Sequence, residues 1–363
     1  ILMRKTYRLS IVFCKLHIFC YITKNIKPMK HIDVALQGGG SHGAFTWGVL
    51  ESLLEHEDLH IDGICGTSAG AMNAVVLAYG LMSGGKPKAK ELLHKFWKRV
   101  AEVNAFAPIQ PNFFDKMMSP GNMDYSFTFN LLHQFIQFVS PYQFNPLNIN
   151  PLKKILLDFI NFDVLRNCDQ TKLFVCATNV RRGRAKVFKT NEISVDAVLA
   201  SACLPYLFHA VTIDGEDYWD GGYMGNPPIF PLIDGTDCSD ILIVQINPIE
   251  IEKTPKTALE IQDRINELSF NSSLMLEMRR VNFVQKLLEH NLNIENKFKE
   301  LRLHNINPEK DLAQFNTSSK LNANWDYLLW LHKLGKEYGD KWLKDNFDKI
   351  GVESTCDVQK VFL

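Results

Sequence analysis

The chain has 363 residues, 46% of them hydrophobic, and its 40 lysines and arginines balance 40 aspartates and glutamates. That balance excludes an overall field drawing the molecule to nucleic acid or an anionic membrane, so any charged partner is met by a local patch. The length suits one large domain or two modest ones with an ordinary globular core.

Eight cysteines are scattered without CxxC or Cys/His zinc spacing, and Cys65, Cys176 and Cys203 lie in apolar stretches. They read as reduced thiols of a cytoplasmic protein, although an even count leaves disulfides open. Residues 1–28 are basic, contain no acid and interrupt their apolar run at Lys15 and His17. That run is too short and polar to span a bilayer, and it lacks the unbroken apolar centre of a signal peptide. The expectation is that Met29 is the natural start and that the preceding stretch stands outside the fold. Secretion stays open beside a cytoplasmic location.

From Met29 onward, "HIDVALQ" reads as a buried strand, "GGGSHG" as a turn, and "AFTWGVLESLLEHE" as a helix with Phe45, Val49, Leu50, Leu53 and Leu54 at helical spacing. The order repeats at once: "HIDGIC" is a strand, "GTSAG" a turn and "AMNAVVLAYGLM" a helix. Two such units in series predict an α/β fold with a mainly parallel sheet covered by helices. Residues 104–150 are rich in Phe, Tyr, Asn and Pro. Prolines punctuate "SPYQFNPLNINPL" too often for regular structure, so this stretch is expected to be a long, packed excursion.

Further on, "KLFVCATNV" and "AKVFKT" are strands around the turn "RRGR", and "ISVDAVLASACL" is a helix ended by Pro205. "VTIDGEDYWDGG" is a hairpin leading into a glycine turn, and "DILIVQINP" is a buried strand. Beyond about residue 255 the pattern becomes long amphipathic helices. The predicted organisation is a core over 29–250, with 104–150 as an excursion or lid, and a helical C-terminal region over 251–363.

Gly66, Ser68 and Gly70 form G-x-S-x-G at a strand-to-helix junction, the context of a nucleophile elbow. A turn this sharp leaves no room for a Cβ beside the serine, and the helix N-terminus that follows favours developing negative charge. A tight structural turn is the plainer alternative. Gly38, Gly39, Gly40 and Gly43 also lie between a strand and a helix, where free N–H groups converge on an anion. A dinucleotide fingerprint expects an acid at the end of the next strand, but Cys65 and Gly66 stand there, so an oxyanion hole fits better. Asp220 ends a strand before Gly221 and Gly222, a pattern that alone is a common turn. His209 precedes this acid, and His290, His304 and His332 are read as helical surface or packing residues.

Together, "GGGSHG", "GTSAG" and "DGG", in that order and at strand ends, resemble the patatin-like phospholipases from about Met29 to Pro248. The chain looks like a bacterial branch with an added C-terminal helical region. The resemblance implies a three-layer α/β fold and a Ser–Asp dyad without histidine, cofactor or metal. Ser68 is then the nucleophile, Asp220 the proton acceptor, and Gly38, Gly39 and Gly40 the oxyanion loop. Gly43, Gly66, Gly70, Gly221 and Gly222 complete the motifs. Two positions depart from the family pattern: His42 stands where Arg or Lys is usual, and Gln37 where many members have Asp.

The implied substrate is a lipid or phospholipid ester, with peripheral membrane contact and no nucleic acid. Phe106, Phe113, Phe114, Phe127, Phe129, Phe135, Phe138 and Phe144 have two equal readings: an acyl channel or membrane-facing lid, or filling beneath a long loop. Arg181, Arg182 and Arg184 read as a hairpin tip rather than a headgroup site. Two rivals remain beside the dyad: a histidine-dependent α/β-hydrolase and a non-catalytic lipid-binding protein of the same fold.

Overall fold

Strand β1 (Lys30–Leu36) alternates strictly, with Ile32, Val34 and Leu36 toward one side of the sheet and Asp33 and Ala35 toward the other, all buried. Burial on both faces is what a central strand of a helix-covered sheet requires. The computed structural model describes residues 29–105, 107, 109–289 and 298–363. The basic stretch 1–28, Phe106 and His290 lie outside the described residues.

The other strands are β2 (Leu59–Thr67), β3 (Lys172–Asn179), β4 (Arg184–Lys189), β5 (Val211–Ile213), β6 (Glu216–Asp220), β7 (Asp240–Val244) and β8 (Arg302–Ile306). They form one sheet in the order β5-β6-β3-β2-β1-β7-β8, with β4 also paired to β3. The run β3-β2-β1-β7-β8 is parallel, whereas β4, β5 and β6 join antiparallel. The main helices are α1 (Gly43–Glu55), α2 (Ala69–Asn104), α3 (Phe113–Met118), α4 (Phe127–Phe135), α5 (Pro151–Phe159), α6 (Val195–Ser201), α7 (Ala258–Glu289) and α8 (Trp325–Asn346). Helix α2 is broken at Gly84 and Gly85.

Each sheet face has its own core. Val34, Leu36, Ile64, Val175 and Val244 pack with α1, α2 and α8, while Ala35, Cys65, Phe174, Ile241 and Ile243 pack with Leu274, Met278 and Val281 of α7. The predicted three-layer α/β architecture is the one observed.

Helix α8 crosses α1 at glycines. A Cβ on Gly335 would fall 1.9 Å from the Phe45 carbonyl oxygen, and one on Gly48 would fall 2.0 Å from that of His332. Gly335→Ala is therefore expected to destabilise the protein by about 1–3 kcal/mol, because backbone must separate to admit one methyl group. Urea unfolding of the variant checks this, and an unchanged midpoint refutes the close crossing.

Two readings of local structure need correction. Part of the 104–150 stretch is helical, and two of its Ser-Pro and Asn-Pro pairs are helix starts, whereas Pro120 and Pro146 follow helix ends in turns. Ser140 and Pro141 open a short helix, and Asn150 caps α5 with Pro151 in its first turn. Proline is tolerated there since that N–H has no intrahelical partner. The second correction is His304, which is not helical. It lies buried in β8, with Nε2 3.1 Å from Asp240 Oδ1 and Nδ1 2.9 Å from Thr355 Oγ1. The C-terminal region thus contributes a strand to the sheet as well as helices.

Candidate active site

One edge of β3 is shared by two strands. Thr67 at the end of β2 pairs with Cys176, and Asp220 at the end of β6 pairs with the next residue, Ala177. Positions far apart in the chain, Ser68 and Asp220, thereby meet at one break in the sheet.

Ser68 adopts φ 55° and ψ −121°, a conformation costly for a residue with a side chain. Its surroundings enforce it. Ser68 N–H donates to Ser201 Oγ at 2.9 Å, and the Thr67 hydroxyl donates to the Gly225 carbonyl at 2.6 Å. A Cβ on Gly66 would lie 2.4 Å from the Gly70 oxygen, and one on Gly70 would lie 2.2 Å from the Leu36 oxygen. Helix α2 starts at the following residue.

Asp220 is fully buried. Its Oδ1 accepts the Gly222 N–H at 2.8 Å, while Oδ2 has no partner that meets full hydrogen-bond geometry. Burial pushes its pKa up to about 7, against smaller opposing pulls from the Gly222 N–H and the Ser68 hydroxyl. Ser68 thus pulls on the carboxyl's pKa and lines the same cavity, but no hydrogen bond joins the two side chains. A Cβ on Gly221 would fall 2.1 Å from the Cys176 oxygen, and one on Gly222 would fall 2.2 Å from the Phe270 ring.

The glycine loop after β1 divides its donors. Gly38 N–H is committed to Asn226 Oδ1 at 2.7 Å, so this glycine shapes the loop and has no free donor for an anion. Gly39 and Gly40 line the same cavity as Ser68 and Asp220, and their N–H groups have no partner among the described residues. Gly43 brings α1 against α2, with its carbonyl accepting from Asn73 Nδ2 at 2.9 Å.

Both departures from the family pattern have a physical setting. Gln37 Oε1 accepts from Ile246 N, Asn247 N and Asn247 Nδ2, and its Nε2 donates to the Asn226 carbonyl and to Asn271 Oδ1. A carboxylate in its place would lack the two donated bonds. His42 is buried with Nε2 2.8 Å from Ser319 Oγ. Burial, reinforced by nearby Lys320, pushes its pKa down to about 3, so it is neutral near pH 7 and is no cation beside the loop.

The cavity measures ≈ 400 Å³. Leu132, Ile136 and Phe129 of the excursion, with Leu204, Leu207 and Phe270, give it apolar lining. Phe129 is 3% exposed, but Phe113, Phe127 and Phe138 are 71%, 76% and 85% exposed, so most of the excursion's rings neither line a channel nor fill a core. Sequence reasoning missed several lining residues: His133, Asn247, Gln262, Asn266, Thr317 and Lys320. None of them carries a local motif.

The histidines weighed from sequence stand elsewhere. His209 stacks on Tyr142 with its Nε2 3.0 Å from the Pro141 carbonyl oxygen, and His332 contacts Glu51 at 2.9 Å. Arg181 bonds the Gly215 carbonyl and Arg182 pairs with Glu216 at 2.8 Å, consistent with a structural hairpin tip. Among the described residues no three His, Cys, Asp or Glu side chains converge as a metal site, and no helix is long and apolar enough to cross a membrane. The six described cysteines are free thiols.

Fold and site together define a three-layer α/β protein with a serine elbow facing a buried carboxyl. The model of the patatin-like phospholipase family matches residues 34–233, more than half of the chain, and the chain belongs to that family. Lipid hydrolysis is the chemistry of the family. Uncharacterized protein R571 of Acanthamoeba polyphaga mimivirus is 24% identical over 274 residues, which cover 73% of this chain and 81% of that protein.

Among solved structures, VipD from Legionella pneumophila aligns with a TM-score of 0.36 and 16% identity, covering 84% of this chain and 67% of that one. ExoU, in its complex with SpcU from the type III secretion system of Pseudomonas aeruginosa, aligns with a TM-score of 0.36 and 15% identity. It covers 89% of this chain, which spans about half of ExoU at 52%.

Proposed function

We propose that the protein is a serine lipid acyl hydrolase of phospholipase A or lysophospholipase type, acting through Ser68 and Asp220. The observation that carries this reading is one cavity lined by the strained serine, a buried aspartate with a raised pKa, and two glycine N–H groups without partners. In its ionised form Asp220 takes the Ser68 proton as the oxygen attacks the ester carbonyl. Gly39 and Gly40 N–H groups hold the oxyanion. Protonated Asp220 then returns the proton to the leaving alkoxide, and water cleaves the acyl-enzyme by the same route. A carboxyl of pKa near 7 is a far better base than an ordinary aspartate.

The experiment is labelling with a fluorophosphonate, followed by peptide mass spectrometry. Label on Ser68, lost in Ser68→Ala together with turnover of phospholipid, lysophospholipid and p-nitrophenyl esters, is the expected result. An inert Ser68 in a protein that retains bound lipid would instead favour the non-catalytic reading.

A histidine-dependent mechanism has one specific candidate, since His133 lines the cavity. Its Nε2 lies 3.4 Å from Gln137 Nε2 and its ring stacks on Phe129 at 6.1 Å. His133→Ala is expected to alter kcat/KM less than tenfold in a p-nitrophenyl ester assay. A loss matching that of Ser68→Ala would transfer the base role to His133.

Peripheral membrane contact follows from α3 and α4. Phe129 and Leu132 of α4 line the cavity, whereas Phe127, Leu131 and Phe135, with Phe113, Phe114, Met117 and Met118 of α3, are exposed. Exposed apolar surface continuous with a lipid-sized cavity suits an interface with bilayer. Changing Phe113, Phe114 and Phe127 together to serine is expected to weaken co-sedimentation with phosphatidylcholine vesicles several-fold. Turnover of vesicle lipid should fall more than turnover of a soluble ester.

A further inference from the structure

Among the described residues that line the cavity of Ser68 and Asp220 there is a single lysine, Lys320, from a segment outside the part of the chain that matches the family model. Its position is fixed through the glycine loop. Lys320 Nζ donates to Asn247 Oδ1 at 2.9 Å, and Asn247 Nδ2 donates in turn to the Gly38 carbonyl at 2.7 Å. The Lys320 backbone also presses on the loop, since a Cβ on Gly40 would lie 2.2 Å from its carbonyl oxygen.

An ammonium has three donors, and among the described residues only Asn247 receives one. No carboxylate of the described residues comes within ion-pair distance; Asp263 and Glu267 act on Lys320 only through their fields. Nor is Lys320 the counter-ion of the dyad, because the Asp220 pKa is set by burial, Gly222 and Ser68. Asp220 is the sole acid among the described residues that line the cavity, beside the neutral polar groups of Gln262, Asn266 and Thr317. Burial pushes the Lys320 pKa down against the fields of Glu267 and Asp263, so an anion that paired directly with the ammonium would relieve the cost of burying it. A cation with spare donors in a mainly apolar cavity is a receptor for an amphiphilic anion.

We propose that Lys320 forms a phosphate subsite, receiving the phosphate of a phospholipid whose ester lies at Ser68. The proposal rests on the acyl-hydrolase reading for its substrate, but the anion subsite is testable without turnover. Dodecyl phosphate, dodecanol and inorganic phosphate are titrated calorimetrically into Ser68→Ala, with and without Lys320→Met or Lys320→Arg. Dodecyl phosphate is expected to bind at least tenfold tighter than dodecanol. Lys320→Met should erase that preference and Lys320→Arg should largely restore it. Inorganic phosphate binding as tightly as dodecyl phosphate, in a Lys320-dependent manner, would keep the phosphate chemistry and identify free phosphate as the ligand.

Equal affinity for dodecyl phosphate and dodecanol overturns the proposal, even if Lys320→Met fails to fold. So does a preference that survives Lys320→Met. On the wild-type background, 1-palmitoyl-lysophosphatidic acid and 1-palmitoylglycerol share the scissile ester and differ only in the phosphate. Their kcat/KM ratio should fall about tenfold in Lys320→Met; an equal fall for both would reduce Lys320 to a support of the loop. A protein that binds dodecyl phosphate yet cleaves no ester would instead refute the hydrolase reading alone.

Discussion

Asp220→Asn is expected to lower kcat/KM for a carboxylic ester about 10⁴-fold while leaving the fold intact, and Ser68→Ala to lower it at least as far. Asparagine keeps the size of the side chain and the Oδ1 that accepts from Gly222. What it loses is the ability to take a proton. Groups that act as a unit fail as a unit, so the double variant should be no slower than either single one. The measurement is p-nitrophenyl butyrate hydrolysis with active-site titration, and residual activity within tenfold of the native rate in Asp220→Asn would remove the dyad.

The second large effect is on pH, and it has opposite signs for rate and stability. With Asp220 as base and a pKa of about 7, kcat/KM should rise tenfold per unit below pH 7 and level off above it. Ionisation of a carboxyl carries little enthalpy, so the inflection should hardly move on heating, whereas an imidazole inflection would shift to lower pH.

For stability, burial pushes Asp33, Asp220 and Glu277 up to about 7, so between roughly pH 4 and 7 the native state binds more protons than the unfolded chain. Their contribution therefore declines as pH rises through that window. Asp240, held down at about 2 mainly by His304 and Arg302 against the effect of burial, contributes at every pH within it and weakens only in stronger acid. Asp220→Asn should accordingly gain up to about 4 kcal/mol at pH 8 and almost nothing at pH 4, as read from urea midpoints. An inactive variant more stable than the native protein is the signature of a site that holds an unfavourable charge for chemistry.

The motifs that announced Ser68 and Asp220 were legible because each is local: a glycine turn at a strand end records its own steric demand within five residues. The buried strands β1 and β7 and helix α1 were equally readable, from apolar runs and helical spacing, whereas the division of the interior into two cores was not. Other features depend on distant pairing. Strand β8 carries Arg302 and His304, polar because they bond Asp240 on β7, and that partnership leaves no apolar run. Proline in "SPYQFNPLNINPL" looked like a breaker because the same residue ends one element or starts another, and only the cap before it decides. Asn226, Asn247 and Lys320 reach the glycine loop from more than 180 residues downstream, with no periodicity to mark them.

The way β8 and α8 complete the sheet and cover α1 bears on how the polypeptide can be divided. A fragment ending near residue 250 would leave the β7 edge unpaired and strip the greasy side of α1, both invitations to self-association. Trimming further, to the 34–233 segment that matches the family, removes β7 as well and bares the β1 edge, so it should yield insoluble aggregates rather than a minimal catalytic unit.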